Sequence, residues 1–336
     1  MNRTDIRMGL PSKGSLESGA LDFLASCGLP VRKPNPRKYQ ATIPALPSLK
    51  VILQRPGDIV VGVRSGSIDL GITGMDIVEE QRTAASDVLV LHDALGFGRC
   101  TLELAVPEGW AEVHSLGDLA ARAEALSGPL RVATKFPQLT GDYLGANGLP
   151  GCDLISAEGT LEVAPEVGYA DIIADLVSSG QTMRDNRLRT ISDGCILRSQ
   201  AVLIGNRVSL SERPEVLAMA RELLEFSEAY LRAQGYYIVV ANMREPSAQA
   251  VAERMFAETE LGGLQGPTIS RVITRQGQED MCAVEVVVPK ERLGQAVNEL
   301  RAIGGSGVVV SPVSYIFEEE PERYVALLAS LEIQGE

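Results

Sequence analysis

The sequence predicts an α/β protein in three parts, and three observations carry that reading. Short apolar runs, VILQRP, DIVVGV and DLGITG, are separated by Pro/Gly turns and followed by a helical stretch, MDIVEEQRTAAS, an alternation that argues for an α/β sheet. Farther along, LRTISDGCILRSQAVLIGN is strand-like with no helix partner of its own, so the chain is expected to return and complete the first sheet. After Tyr236 the order changes to strand, helix, strand, strand, helix, strand.

Taken in order, IRMGLP reads as a strand, then a polar turn, then the helix SLESGALDFLASCG, with Ser15 as its cap and Gly28 as its terminator. A second βα series begins near Cys100 with TLELAVP, continues through RVATKFP and runs to about Thr190. From Ser211 to Ala233 a charged amphipathic helix reads as a connector rather than a core element. Beyond it, YYIVVANM, SAQAVAERMFAET, PTISRVIT, MCAVEVVVP, ERLGQAVNELRAIGG and GVVVSPVSYIF spell a ferredoxin-like βαββαβ module with no paired acids, nucleophile–base pair or phosphate loop, which suits regulation or assembly. The expected domains are 1–98 with 190–232, then 99–189, then 233–336. Two α/β lobes joined by a return crossover describe a core of the periplasmic-binding-protein-like type, although the two series share no convincing sequence repeat.

At 336 residues and 45% hydrophobic the chain is long enough to bury more than one core. No apolar run approaches the roughly 18 residues that span a bilayer, and the first residues carry no signal core, so a cytoplasmic protein without membrane partners is expected. Five cysteines lie far apart and, with only His92 and His114 beside them, form no zinc-spaced cluster. His92 therefore reads as structural. The net charge of −13 argues against a nucleic-acid surface, which needs cations to displace counterions. Anionic substrates must be captured locally, by helix N-termini, backbone N–H groups, a few Lys or Arg, and Mg2+.

The most informative stretch is EVAPEVGYADIIADLVSSGQTM, 162–183. Asp171 and Asp175 lie in a mostly apolar run that leads into Ser178, Ser179, Gly180, Gln181 and Thr182. Glycine admits close backbone approach and the hydroxyls add donors, so the loop suits a phosphate, and a helix opening after it would add its positive end. An aspartate at the end of the preceding strand then faces the vicinal hydroxyls of a ribose. On a helix, the two acids would instead share one face as surface charges.

That stretch resembles the signature of the ATP phosphoribosyltransferases through Glu162, Gly168, Ala170, Ile173, Asp175, Leu176, Ser179, Gly180, Thr182 and Met183. LPSKGSLESGALDFLASCG is similar to the family's opening strand, Lys-Gly turn and helix, with Ser15 where many members have Arg. RPGDIVVGVRSGSIDLGITGMDIVEE, LGFGRCTLELAVP and ATKFPQLTGDYL are similar to further family blocks, while GLQGPTISRV and IGGSGVVVSPV resemble the histidine-sensing module of the long, self-regulated form.

The resemblance implies transfer of the phosphoribosyl group of phosphoribosyl pyrophosphate to N1 of ATP, the first step of histidine biosynthesis, with Mg2+, feedback by L-histidine, and assembly as a homodimer and homohexamer. Asp175, Lys13 and Arg55 are the expected catalytic residues. Asp171, Asp175 and residues Ser178 to Thr182 are expected on the ribose 5-phosphate; Lys13, Gly14, Arg55, Thr73, Gly74, Asp76 and Lys135 on ATP or pyrophosphate. The bland readings are a salt bridge to Asp58 for Arg55, helix capping for Asp76 and solvated surface for the lysines. Leu264, Thr268, Val287 and Gly307 match the effector pocket. The rival readings are a solute-binding module and a phosphoribosyltransferase acting on another nucleophile.

Overall fold

The computed structural model describes residues 4–35, 38–83, 87–157, 159–273 and 281–332. The first lobe runs β1 (Ile6–Pro11), α1 (Gly14–Ser26), β2 (Gln40–Thr42), β3 (Leu49–Gln54), α2 (Pro56–Arg64), β4 (Leu70–Gly74), α3 (Met75–Glu80) and β5 (Val88–His92). The second runs β6 (Cys100–Pro107), α4 (Leu116–Glu124), β7 (Arg131–Thr134), α5 (Pro137–Ala146), β8 (Asp153–Ser156), α6 (Ala164–Val167), β9 (Ile172–Val177), α7 (Gln181–Asp185) and β10 (Leu188–Ser199). The chain then returns as β11 (Ala201–Asn206), followed by α8 (Arg207–Glu212) and α9 (Pro214–Ala233).

Among the described residues the first sheet has the order β2-β3-β1-β4-β11-β5 and the second β10-β6-β9-β7-β8. Leaving β2 aside, the two are equivalent. Each has three parallel strands, then one antiparallel strand, then an outer strand antiparallel to that one. In both lobes the antiparallel strand follows directly on a crossover from the other lobe. The central parallel strands of the first sheet are buried on both faces, as β4 shows with every residue buried, while the outer β3 and β8 are partly exposed.

Several local expectations change. DIVVGV, an apolar run between turns, folds as α2, because Pro56 at the first helical turn presets φ and Ile59, Val60 and Val63 recur on one buried face. Helix α1 is capped at Lys13, with no side-chain cap, so Ser15 lies inside its first turn. The return to the first sheet comes at Gln200 rather than near 190, since residues 188–199 stay hydrogen-bonded to β6 from Leu188–Pro107 to Ser199–Cys100. Pro214 splits the expected connector into α8 and α9, and α9 is a core element: Val216, Met219, Ala220, Leu223 and Leu224 form a buried stripe.

Asp69, fully buried before β4, accepts from the Arg7 N–H at 2.8 Å and from Arg213 Nη1 at 2.9 Å, so one carboxylate ties β1 to the residue that opens α9.

The C-terminal unit, Glu225–Pro321, contains β12 (Tyr236–Met243), α10 (Ala248–Glu258), β13 (Thr268–Arg271), β14 (Cys282–Pro289), α11 (Leu293–Ala302) and β15 (Ser306–Pro312), with sheet order β13-β14-β12-β15. Along β14, Cys282, Val284, Val286 and Val288 are buried in a core with Val251 and Met255 of α10 and Ala296 and Leu300 of α11. The alternate residues face away from the helices. The last helix, α12 (Glu322–Ser330), groups with the unit that holds the two lobes, so the third domain ends at Pro321 rather than including this helix. Its Arg323 pairs with Asp93 at 2.8 Å and its Ser330 carbonyl accepts from Arg207 Nη1 at 3.0 Å.

Candidate active site

Parallel strands carry their ligand-binding loops at their C-terminal ends, and here those ends meet at the crossovers. Gly74, closing β4, pairs with Ala201, and Val177, closing β9, pairs with Thr101. The two crossovers are bonded to each other, Leu95 N–H to the Ala201 carbonyl at 3.1 Å and Ala201 N–H to the Phe97 carbonyl at 3.0 Å.

On the first lobe, the Ser12 N–H donates to the Gln54 carbonyl at 2.9 Å, which holds the ends of β1 and β3 together. Lys13 and Arg55 follow as neighbours, each extended at the N-cap of its helix and each exposed, and Gly14 lies open beside Lys13. The alternative for Arg55 fails, because among the described residues its guanidinium makes no ion pair, with Asp58 or any other acid.

Thr73, Gly74 and Asp76 are placed otherwise than expected. The buried Thr73 hydroxyl donates to the Pro56 carbonyl at 3.2 Å, and the buried Asp76 carboxylate accepts from the Ser199 hydroxyl at 2.6 Å while the Asp76 N–H donates to that same oxygen at 2.9 Å. A Cβ on Gly74 would lie 2.3 Å from Asp76 Oδ1, so glycine is required by this joint. Burial pushes the Asp76 carboxyl up, against the Ser199 hydroxyl and two backbone N–H groups. Asp76 with Ser199 is a joint between the lobes, whereas the Thr73 hydroxyl ties β4 to the start of α2 within the first lobe.

On the second lobe Asp175 lies on β9 and Asp171 immediately before its first residue, the two on the same side about 13 Å apart. Asp171 is occupied by Arg131: Nη2 donates to Oδ1 at 2.8 Å, and Nε and the backbone N–H donate to Oδ2 at 3.2 and 2.9 Å. The structure does not bring it to the loop, and it is removed from the ribose set. Asp175 does lie near the loop, half-buried, with the Leu176 N–H donating to Oδ1 at 2.8 Å. Burial raises its carboxyl above the ordinary range; the Leu176 N–H and the Lys135 charge oppose that, and Glu162 adds to it.

Ser178, Ser179 and Gly180 turn out of β9 into α7, which opens at Gln181. Gly180 has φ +69°, the left-handed turn that favours glycine, and the Gln181 N–H donates to Ser179 Oγ at 3.4 Å. Arg184 Nη2 closes the turn on the Ser179 carbonyl at 3.2 Å and Gln181 Oε1 at 3.1 Å, while Met183 is buried and Thr182 exposed. Lys135 is exposed at the end of β7.

A cavity of about 350 Å3 at the crossovers is lined by Ser178, Val177 and Thr101 together with Arg99, Arg198 and Gln200. Arg99 and Arg198 are exposed, form no ion pair among the described residues, and were missed from sequence. Their signal was positional, since LGFGRC and ILRSQ each place an arginine beside a crossover.

The family model of ATP phosphoribosyltransferase matches residues 55–225 and the model of its C-terminal domain matches 233–315. The chloroplastic ATP phosphoribosyltransferase 2 of Arabidopsis thaliana is 46% identical over 98% of this chain and 82% of its own length. The chain belongs to the ATP phosphoribosyltransferase family. The ATP phosphoribosyltransferase of Bradyrhizobium sp. (strain ORS 278) is 32% identical over 96% of this chain and 98% of its own. The fold is shared with a solved ATP phosphoribosyl transferase (HisG:HisZ) complex from Thermotoga maritima, with TM-score 0.51 and 24% identity over 66% of this chain and 98% of that one. The two family models change over near the boundary of the C-terminal unit, and no helix among the described residues is long and apolar enough to cross a membrane.

The positions expected for the effector are not all together. Thr268, opposite Glu285, and Val287 share the uncovered face of the C-terminal sheet, and Leu264 lies in the turn before β13. Gly307 is on β15, three strand spacings or about 14 Å from β13. One free amino acid does not reach both edges of that sheet, so Gly307 separates from the other three.

Proposed function

We propose that phosphoribosyl transfer to ATP, the opening step of histidine biosynthesis, takes place where the C-terminal strand ends of the two lobes meet at the paired crossovers. The observation that carries this is the placement of the Ser178–Thr182 turn and Asp175 at one lobe's strand ends and of Lys13 and Arg55 at the other's. Asp175 accepts from the ribose hydroxyls, and the backbone N–H groups and hydroxyls of the turn hold the 5-phosphate. Lys13 and Arg55 face the pyrophosphate, and Arg99 and Arg198 add positive charge for the ATP phosphates. Lys135 lies beside Asp175 and steers anions toward it.

The adenine N1 lone pair forms the new bond to C1, the C1–O bond breaks, and its electron pair leaves on pyrophosphate. Adenine N1 carries no proton, so no general base is needed. The protein's contribution is alignment, worth on the order of 7–11 kcal/mol for well-placed reactants, and charge stabilisation of the leaving group. Among the described residues no three His, Cys, Asp or Glu side chains are grouped to hold a metal, so Mg2+ fits as a passenger on the substrate phosphates, where it screens their charge.

L-Histidine is read as the effector of the C-terminal unit, at the Leu264, Thr268 and Val287 edge of its sheet. Homodimers and homohexamers are the proposed assemblies, and free cysteines throughout the described chain suit a reducing compartment such as the cytoplasm.

Mixing the chain with ATP, phosphoribosyl pyrophosphate and Mg2+ should yield phosphoribosyl-ATP and pyrophosphate, with adenine and orotate inert in ATP's place. Turnover of a free base in preference to ATP overturns the assignment. Calorimetric titration with L-histidine, on wild type and Thr268→Ala, tests the effector edge, and an unchanged affinity in the variant rejects it.

A further inference from the structure

Helix α3 touches the second lobe at both ends. Its N-terminus is bound to Ser199 and Gln200, through the Asp76 carboxylate and through the Met75 N–H, which donates to the Gln200 carbonyl at 3.0 Å. Its C-terminus carries Glu80, whose carboxylate spans the first turn of α5: the Gln138 N–H donates to Oε1 at 2.9 Å and the Leu139 N–H to Oε2 at 3.0 Å. Those N–H groups are among the four that a helix cannot satisfy internally, and a negative charge there also meets the positive end of the helix dipole. A residue 58 positions away in sequence, on the other lobe, thus caps α5.

We propose that Glu80 is a positioning residue for phosphoribosyl transfer, a latch that holds the two lobes at the spacing in which the reactants line up. Two hydrogen-bonded crossovers by themselves leave the lobes free to swing about the axis they define. Glu80 lies about 6 Å along α3 from the Asp76 joint, off that axis, and removes the swing. It acts directly on the site's frame, because α5 starts immediately after Lys135 and Phe136. That corner is stiff: the Phe136 N–H donates to Thr134 Oγ1 at 3.0 Å, and Thr134 and Thr140 share a hydrogen bond at 3.3 Å. Tilting α5 therefore moves Lys135, and with it the charge that acts on Asp175. A carboxylate is suited to this task because it accepts from two adjacent N–H groups at once; an amide accepts at one atom and opposes the second N–H with its own donors. The inference rests on the reaction site proposed above.

The test uses the full chain as wild type, Glu80→Gln and Glu80→Ala. Spin labels carried on unnatural amino acids at the exposed positions Val61 of α2 and Glu124 of α4 report the inter-lobe distance by pulsed electron paramagnetic resonance, with labelled chain diluted in unlabelled chain. The distance distribution should broaden from wild type to Gln to Ala. In the same order kcat should fall, by about tenfold or more for Ala, while the dissociation constant for phosphoribosyl pyrophosphate alone stays within about twofold. An unbroadened distribution overturns the proposal, as does an unchanged kcat. Parallel loss of kcat, substrate affinity and thermal stability at unchanged distance assigns Glu80 a merely structural role and also overturns it. If wild type does not join the two substrates, the reaction assignment fails, and the distance measurement still decides whether the latch exists.

Discussion

Replacing Asp175 by Asn separates the chemistry of the site from its stability. The carboxylate is fixed in direction by the Leu176 N–H on Oδ1 at 2.8 Å, which leaves its remaining lone pairs for the ribose hydroxyls. Asn presents one oxygen and an NH2 donor, so one charge-assisted hydrogen bond is lost, worth about 1.5–3 kcal/mol. That corresponds to about a tenfold to hundredfold fall in kcat/KM for phosphoribosyl pyrophosphate, with the affinity for ATP alone unchanged. Stability should move the other way. The folded carboxyl is raised by burial, so between the ordinary 3.8 and its folded value the native state holds more protons than the unfolded one. Stability therefore falls as pH rises through that window, and the neutral Asn relieves the cost at pH 7. The assays are steady-state kinetics at saturating ATP, calorimetry with ATP, and urea denaturation at pH 7. Equal losses for both substrates, or a variant less stable than wild type at pH 7, refute the reasoning.

Burial, reinforced by Arg323, pushes His92 down from 6.5 to about 4, and its ring accepts from the Ala94 N–H at 3.1 Å on Nδ1. The unfolded chain binds the proton more readily, so stability present above pH 6.5 is lost as pH falls toward 4, on the order of 3 kcal/mol in all. His92→Gln should flatten that limb in urea titrations, and an identical limb in the variant contradicts the assignment. Asp69→Ala strands Arg213 and the Arg7 backbone N–H, and is expected to cost about 3–5 kcal/mol by chemical denaturation; a loss below about 1 kcal/mol shows that the pair is not holding β1 to α9. Asp171→Ala, which removes the Arg131 partner at the far end of β9, should lower the denaturation midpoint but leave kcat/KM within about twofold, whereas a selective loss for phosphoribosyl pyrophosphate would return Asp171 to the ribose site.

The turn chemistry of the phosphate loop was legible because it is local. Gly180 must be left-handed, a need set by the turn itself, although the burial of Met183 is supplied by a core that includes Ala105 and Ala133 from distant strands. Asp171 was misread for a related reason: it lies just before β9 on the same side as Asp175, but only the pairing of β7 with β9 brings Arg131 to it. Arg99 and Arg198 come together only because Thr101 pairs with Arg198 across the crossover strands.

By itself, the sequence determined most element types, the α/β class, the acid-then-hydroxyl segment and the C-terminal βαββαβ order, since each is written in periodicity, turn residues and spacing along the chain. Tertiary structure alone decided the return at Gln200, the matching order of two sheets that share no sequence repeat, the commitment of Asp76 to the joint between lobes, and the capping of α5 by Glu80. Those outcomes rest on hydrogen bonds and burial between residues tens to more than a hundred positions apart, where partner choice is set by packing and has no local signature to read.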